Sequence, residues 1–243
     1  MHRWAPMSRI GDRDPRELPY SQDRLEHTIS IQTHHVTLDG TLGVPNDAHG
    51  VILFAHGSGS SRFSPRNRFV AHVLREVGFG TLLLDLLSPE EEAVDDVTGQ
   101  HRFDIAMLAY RLVVAIDWLA RSSETEQLAI GLFGASTGGG AALVAAAQRR
   151  TSVAAVVSRG GRPDLAGDSL PLVDAPTLLL VGERDRVVID LNERAAALMR
   201  ATVRLEIIPR ATHLFEEAGT LEQVAVSARD WFVRYMPGQS PLP

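Results

Sequence analysis

The run Leu128–Phe133 (LAIGLF), then Gly134-Ala135-Ser136-Thr137-Gly138-Gly139-Gly140, then Ala141–Arg150 (AALVAAAQRR), decides the fold. An uninterrupted apolar run reads as a strand covered on both faces. The alanine-rich stretch reads as a helix able to lie close against a sheet. Between them, G-x-S-x-G on a strand-to-helix turn is the pattern of a nucleophile elbow, which exposes a serine hydroxyl at the tip of a strained bend. Glycine is required there because larger side chains collide with strand and helix. The competing role for Ser136 is an ordinary N-cap, its hydroxyl accepting a helix amide.

Working outward, Thr28–Val36 and Thr41–Pro45 read as an opening antiparallel pair of strands. Gly50–Ala55, Gly80–Leu86, Val153–Val157, Thr177–Val181 and Val203–Ile208 are further continuous apolar runs. Helical patterns fall near 66–78, 103–121, 137–149, 189–201 and 218–235. Strand and helix alternate, which predicts an α/β fold: a mostly parallel central sheet of about eight strands with helices on both faces. In such sheets ligands bind beyond the carboxyl ends of the strands, so chemistry is sought just after each run.

A serine hydroxyl needs a base, and the base needs an orienting acid. In this architecture the chain order is Ser, then Asp or Glu, then His. Asp185 follows the run Thr177–Val181 in Gly182-Glu183-Arg184-Asp185, and Glu183 is the substitute acid. His213 follows Val203–Ile208 and is the only histidine after Ser136. The oxyanion hole is expected from the backbone N–H of Thr137 and of Ser58, in the loop His56-Gly57-Ser58-Gly59-Ser60-Ser61. A phosphate-cradling P-loop fails because all 24 basic residues are arginine.

HGSGSS, GASTGGG, GERD and ATHLF, in this order and at these strand ends, resemble the α/β-hydrolase superfamily, and the small size resembles the dienelactone hydrolase-like family. The resemblance covers about 28–236 and implies the nucleophile Ser136, the acid Asp185, the base His213 and the amides of Ser58 and Thr137 for the oxyanion. Dienelactone hydrolases proper use a cysteine nucleophile, whereas this chain has Ser136 and no cysteine. The expected activity is hydrolysis of a small ester, thioester or lactone without cofactor or metal, rising with pH as imidazole loses its proton over roughly pH 6–7.5. The alternatives are a non-catalytic ligand- or partner-binding α/β-hydrolase fold, or an acyltransferase or amidase using the same residues.

With 243 residues, 44% apolar and 22% charged, the chain is long enough for a large core and needs no disulfides. A net charge of -6 argues against nucleic-acid binding, and no apolar run is long enough to span a membrane. Residues 1–26 read as a polar arm without a secretory h-region, 27–236 as the domain and 237–243 as a tail, which sets a cytoplasmic expectation. The stretch 158–176 is too short for a multi-helix lid. Arg62, Arg66, Arg68, Arg159 and Arg162 gather at strand ends, where Arg159, Arg162, Arg62 and His56 are candidates for substrate contact; Arg159 is the best of the arginines. The acidic run Pro89–Asp96 is expected to be a solvated loop, His34 and His35 to alternate along a strand, and Tyr110 and Trp118 to be core.

Overall fold

The computed structural model describes residues 25–238, so all but the last two residues of the expected arm over 1–26, and all but the first two of the expected tail over 237–243, lie outside the described residues. Its strands are β1 (Glu26–Gln32), β2 (Thr37–Gly43), β3 (Gly50–Ala55), β4 (Phe79–Leu84), β5 (Ala129–Ala135), β6 (Val153–Arg159), β7 (Thr177–Gly182) and β8 (Val203–Ile208). Its helices are α1 (Pro65–Glu76), α2 (Pro89–Thr98), α3 (Ile105–Leu119), α4 (Thr137–Gln148), α5 (Arg186–Leu198) and α6 (Thr220–Tyr235). The strands form one sheet in the order β1-β2-β4-β3-β5-β6-β7-β8. β1 pairs antiparallel with β2, β2 antiparallel with β4, and the other pairs are parallel.

Every residue of β3, β4 and β7 is buried, as expected of strands covered on both faces. Successive side chains alternate between two cores. Along β6, Val156 points to the side that holds α3 and α4, while Ala155 and Val157 point to the side that holds α1 and α6. The same alternation sends Ser158 and Arg159 to opposite faces. No described helix is long and apolar enough to cross a membrane.

Three local expectations are corrected. The first strand stops at Gln32 because Thr33 closes a turn, its hydroxyl donating to the Val36 carbonyl at 2.7 Å and accepting from the Val36 amide at 3.1 Å. His34 and His35 therefore sit in that turn, and His34 stacks on Tyr110 at 6.1 Å. Tyr110 is 37% exposed, so it covers the hairpin rather than filling the core. The acidic run is a helix, α2, because Ser88 and Glu91 form a capping box with Pro89 at the first helical position. Arg111 bonds both Glu91 and the Leu86 carbonyl, which fastens α2 to the end of β4.

Between β6 and β7 the chain forms a kinked 3-10 segment, Pro163–Leu172, that buries Ala166 and Leu170 against the α4 side of the sheet. It is a packed crossing and not a multi-helix lid.

Candidate active site

β5 meets α4 at Ser136, whose φ of 51° and ψ of -123° put a non-glycine residue in a sparsely populated region. Such a conformation costs about 1–3 kcal/mol and persists only where the surroundings impose it. Here the Ser136 amide donates to the Arg159 carbonyl at 3.2 Å, and its carbonyl accepts from the Gly139 and Arg162 amides at 3.0 Å each. The strained backbone is thereby held from three sides. The Ser136 hydroxyl caps no helix amide, which removes the ordinary N-cap reading. It points to His213 instead, with Oγ 3.4 Å from Nε2.

His213 sits in the loop after β8, and its Nδ1 lies 2.6 Å from Asp185 Oδ2. Asp185 precedes α5 after β7. The two loops approach closely because β7 ends in Gly182, where a Cβ would lie 2.5 Å from the Ala211 carbonyl and 2.6 Å from that of Thr212. Glu183 accepts the Arg210 amide at 2.7 Å and is thus occupied away from the histidine. Glu217 accepts the Thr212 amide at 3.1 Å and fixes the residue before His213.

The loop after β3 comes against α4 at Gly138, where a Cβ would stand 2.4 Å from the Ala55 carbonyl. That contact brings Ser58 and Thr137 together, their hydroxyls 3.2 Å apart. Among the described residues no protein acceptor takes the amide of Ser58 or Thr137. Two free amides beside a nucleophile are what an oxyanion site requires.

The remaining candidates separate. His56 is buried and both its ring nitrogens are used: Nδ1 meets the Gly57 carbonyl at 2.9 Å, and Nε2 accepts the Leu86 amide at 2.9 Å. Burial lowers its pKa, which keeps the ring neutral for that acceptor role. It ties the loop after β3 to the end of β4 and has no nitrogen left for substrate. Arg62 binds Asp85 through its amide at 2.6 Å and through its guanidinium. Arg162 is forked onto Asp164 at 2.8 and 2.7 Å. Among the described residues Arg159 alone of these arginines has no carboxylate; it is 8% exposed, and its one hydrogen bond there is to Asn67 Oδ1, at 3.3 Å.

Asn67 and Phe215 join the site without having been read from the sequence. Asn67 lies on the face of α1 that also buries Val70, Ala71 and Leu74. A polar residue at that helical spacing was the available signal. Phe215, with φ of 55°, follows His213 by two positions and carries the Arg159 guanidinium 5.9 Å from its ring centre. No group of three or more metal-ligating side chains occurs among the described residues.

The model of the dienelactone hydrolase family matches residues 38–235, across the whole of this site. The chain belongs to the dienelactone hydrolase family. A solved dienelactone hydrolase from Anabaena variabilis ATCC 29413 is 58% identical, with a TM-score of 0.85 over 87% of this chain and 98% of that one. Est1E from Butyrivibrio proteoclasticus shares the fold at a TM-score of 0.71 and 16% identity, over 86% of this chain and 98% of its own. A Mycobacterium tuberculosis protein provisionally named a phosphoribosyl transferase is 55% identical over 216 residues, 89% of this chain. This chain spans about half the length of that relative, 48%. The family is one of hydrolases.

Proposed function

We propose that this protein is a serine hydrolase that cleaves a small ester, thioester or lactone through an acyl-enzyme. The observation that carries the reading is the line Ser136 Oγ, His213, Asp185, at 3.4 and 2.6 Å, ending on a strained elbow that caps nothing. His213 Nε2 takes the hydroxyl proton as Ser136 attacks the substrate carbonyl. Asp185 accepts the Nδ1 proton, which fixes the tautomer and stabilises the imidazolium. The amides of Ser58 and Thr137 receive the developing oxyanion. His213 then gives its proton to the leaving group, and water activated by the same nitrogen releases the acid.

The phosphoribosyl transfer for which the longer relatives are named does not call for a serine, a base and an acid in line, and the hydrolytic reading accounts for all three. The test is hydrolysis of a neutral short-chain ester by wild type, Ser136→Ala, His213→Ala and the double variant. The expected result is loss of at least about a thousandfold in each single variant, with little further loss in the double, because residues that act as a unit are not additive. Full activity in Ser136→Ala would overturn the proposal.

A further inference from the structure

Most internal guanidinium groups here have a carboxylate. Arg111 has Glu91 at 2.6 Å, Arg75 has Glu26 at 2.9 Å and Arg102 has Asp95 at 2.8 Å. Arg159 breaks the pattern. Its Nε and Nη1 are buried with no partner among the described residues, and Nη2 reaches only the neutral Asn67. Burial, with Arg66 adding to it, pulls its pKa down to about 9, so it is charged at neutral pH but poorly compensated. Arg66 is the second guanidinium of the cluster; its Nε is also buried and unpartnered. Among the described residues its only carboxylate is Glu216 at 3.3 Å, which is 65% exposed. A buried charge without a counter-ion destabilises the folded protein. A cation held in that state beside a nucleophile is poised for an anion supplied from outside.

The position specifies where. Arg159 ends β6, beside β5 and paired with Ala135, so its backbone is one strand spacing (about 4.8 Å) from the strand that carries Ser136. Its side chain lies on the α1 side, against Phe215 and Asn67. The oxyanion amides lie on the β3 side of Ser136, so a carbonyl oxygen is held there and the rest of the substrate extends toward β6. At position 160 a Cβ would lie 3.6 Å from His213 Cε1, so this edge adjoins the imidazole that protonates the leaving oxygen.

We infer that Arg159 and Arg66 form a subsite for a dianionic phosphate on the alcohol half of the substrate, so that the enzyme cleaves acyl esters of phosphorylated alcohols. This rests on the serine-hydrolase reading above. Two guanidinium groups match a dianion, whereas a carboxylate would neutralise only one. Glu216 occupies Arg66 in the free protein and yields it when phosphate enters. In the reaction Ser136 Oγ bonds the acyl carbon, and the bond from that carbon to the alcohol oxygen breaks. His213 passes the serine proton to the leaving alkoxide. Water then divides between acyl group and serine, giving the free acid and the phosphorylated alcohol with its phosphate ester intact.

Binding is measured first, without turnover, by calorimetric titration of Ser136→Ala with glycerol 3-phosphate, glycerate, glycerol and inorganic phosphate. Glycerol 3-phosphate is expected to bind, glycerate at least about tenfold more weakly, and glycerol not at all. Adding Arg159→Met or Arg159→Gln is expected to weaken the phosphate ligand about 10- to 100-fold, the worth of a charge-assisted contact. Adding Glu216→Gln is expected to tighten it. Melting temperatures of both Arg159 variants establish that they fold, and Arg159→Lys is expected to restore part of the affinity. Next, kcat/KM is compared for the acetyl esters of glycerol 3-phosphate and of glycerol. Wild type is expected to prefer the phosphorylated ester at least tenfold, and that ratio collapses toward one in Arg159→Met.

Equal binding of phosphate and glycerate, binding indifferent to Arg159, or a ratio unchanged in Arg159→Met overturns the subsite. A wild type that cleaves the neutral ester without preference overturns the subsite and leaves the hydrolase reading standing. A wild type that cleaves neither ester overturns the hydrolase reading, and the titration still decides whether phosphate binds at Arg159.

Discussion

Replacing Gly138 by alanine places a methyl carbon 2.4 Å from the Ala55 carbonyl oxygen and 2.5 Å from that of His56. Carbon and carbonyl oxygen settle at about 3.3 Å or more, so the N-terminus of α4 must retreat from β3 by about 0.9 Å. Both obstacles are backbone, and neither can rotate aside. The retreat carries Thr137 away from Ser58 and moves Ser136, because the elbow leads directly into the helix. A misplacement near 1 Å costs about 100-fold in rate, or about 2.7 kcal/mol of barrier. Overpacking adds a loss of about 1–3 kcal/mol in stability. The control is Gly167→Ala, at φ of 47° with no atom within 4 Å of the new carbon. It bears backbone strain of about 1–3 kcal/mol but no collision. Urea unfolding should therefore register both variants, while kcat/KM on a neutral ester should fall about 100-fold only for Gly138→Ala. Wild-type kcat/KM in Gly138→Ala, with its fold intact, would refute the idea that this contact sets the oxyanion geometry.

Two further substitutions probe the supports of the site. His56→Leu strands the Leu86 amide and is expected to cost about 1–3 kcal/mol in urea unfolding at neutral pH. Because burial holds His56 below 6.5, the unfolded chain takes up the proton first. Wild-type stability from this group therefore declines as pH falls below 6.5, by at most about 1.4 kcal/mol per unit, and His56→Leu lacks that component. Asp95 is opposed by burial, but the Arg102 and His101 amides and the Arg102 side chain outweigh it, and its pKa is lowered from 3.8. Its contribution is present above that value and lost as pH falls further. Asp95→Asn should cost about 1–3 kcal/mol at pH 7, with the gap to wild type closing as pH falls below 3.8 in the same unfolding assay.

The parallel core was legible because burial on both faces leaves unbroken apolar runs: β3 falls on its expected residues. The meeting of Ser136, Asp185 and His213 was legible because each follows a strand run, and His213 is the only histidine after Ser136. Boundaries failed where a side chain closes the structure locally. Thr33 ended β1 early, and the Ser88–Glu91 box turned an acidic stretch into α2, a signal present in the sequence but outweighed by its charge. The fates of the arginines were not legible. Arg62, Arg159 and Arg162 look alike in sequence, yet Asp85 and Asp164 claim two of them, while the third meets Asn67 and the Phe215 ring. Partner choice depends on which helix faces which strand end, and apolar periodicity does not encode it.

The most direct measurement is labelling with a fluorophosphonate, read by intact mass and peptide mapping on wild type, Ser136→Ala and His213→Ala. An activated serine predicts one adduct on wild type, mapped to Ser136, absent from Ser136→Ala and strongly slowed in His213→Ala. A folded wild type that takes no adduct, or takes it elsewhere, would contradict the account and leave a binding protein on a hydrolase fold.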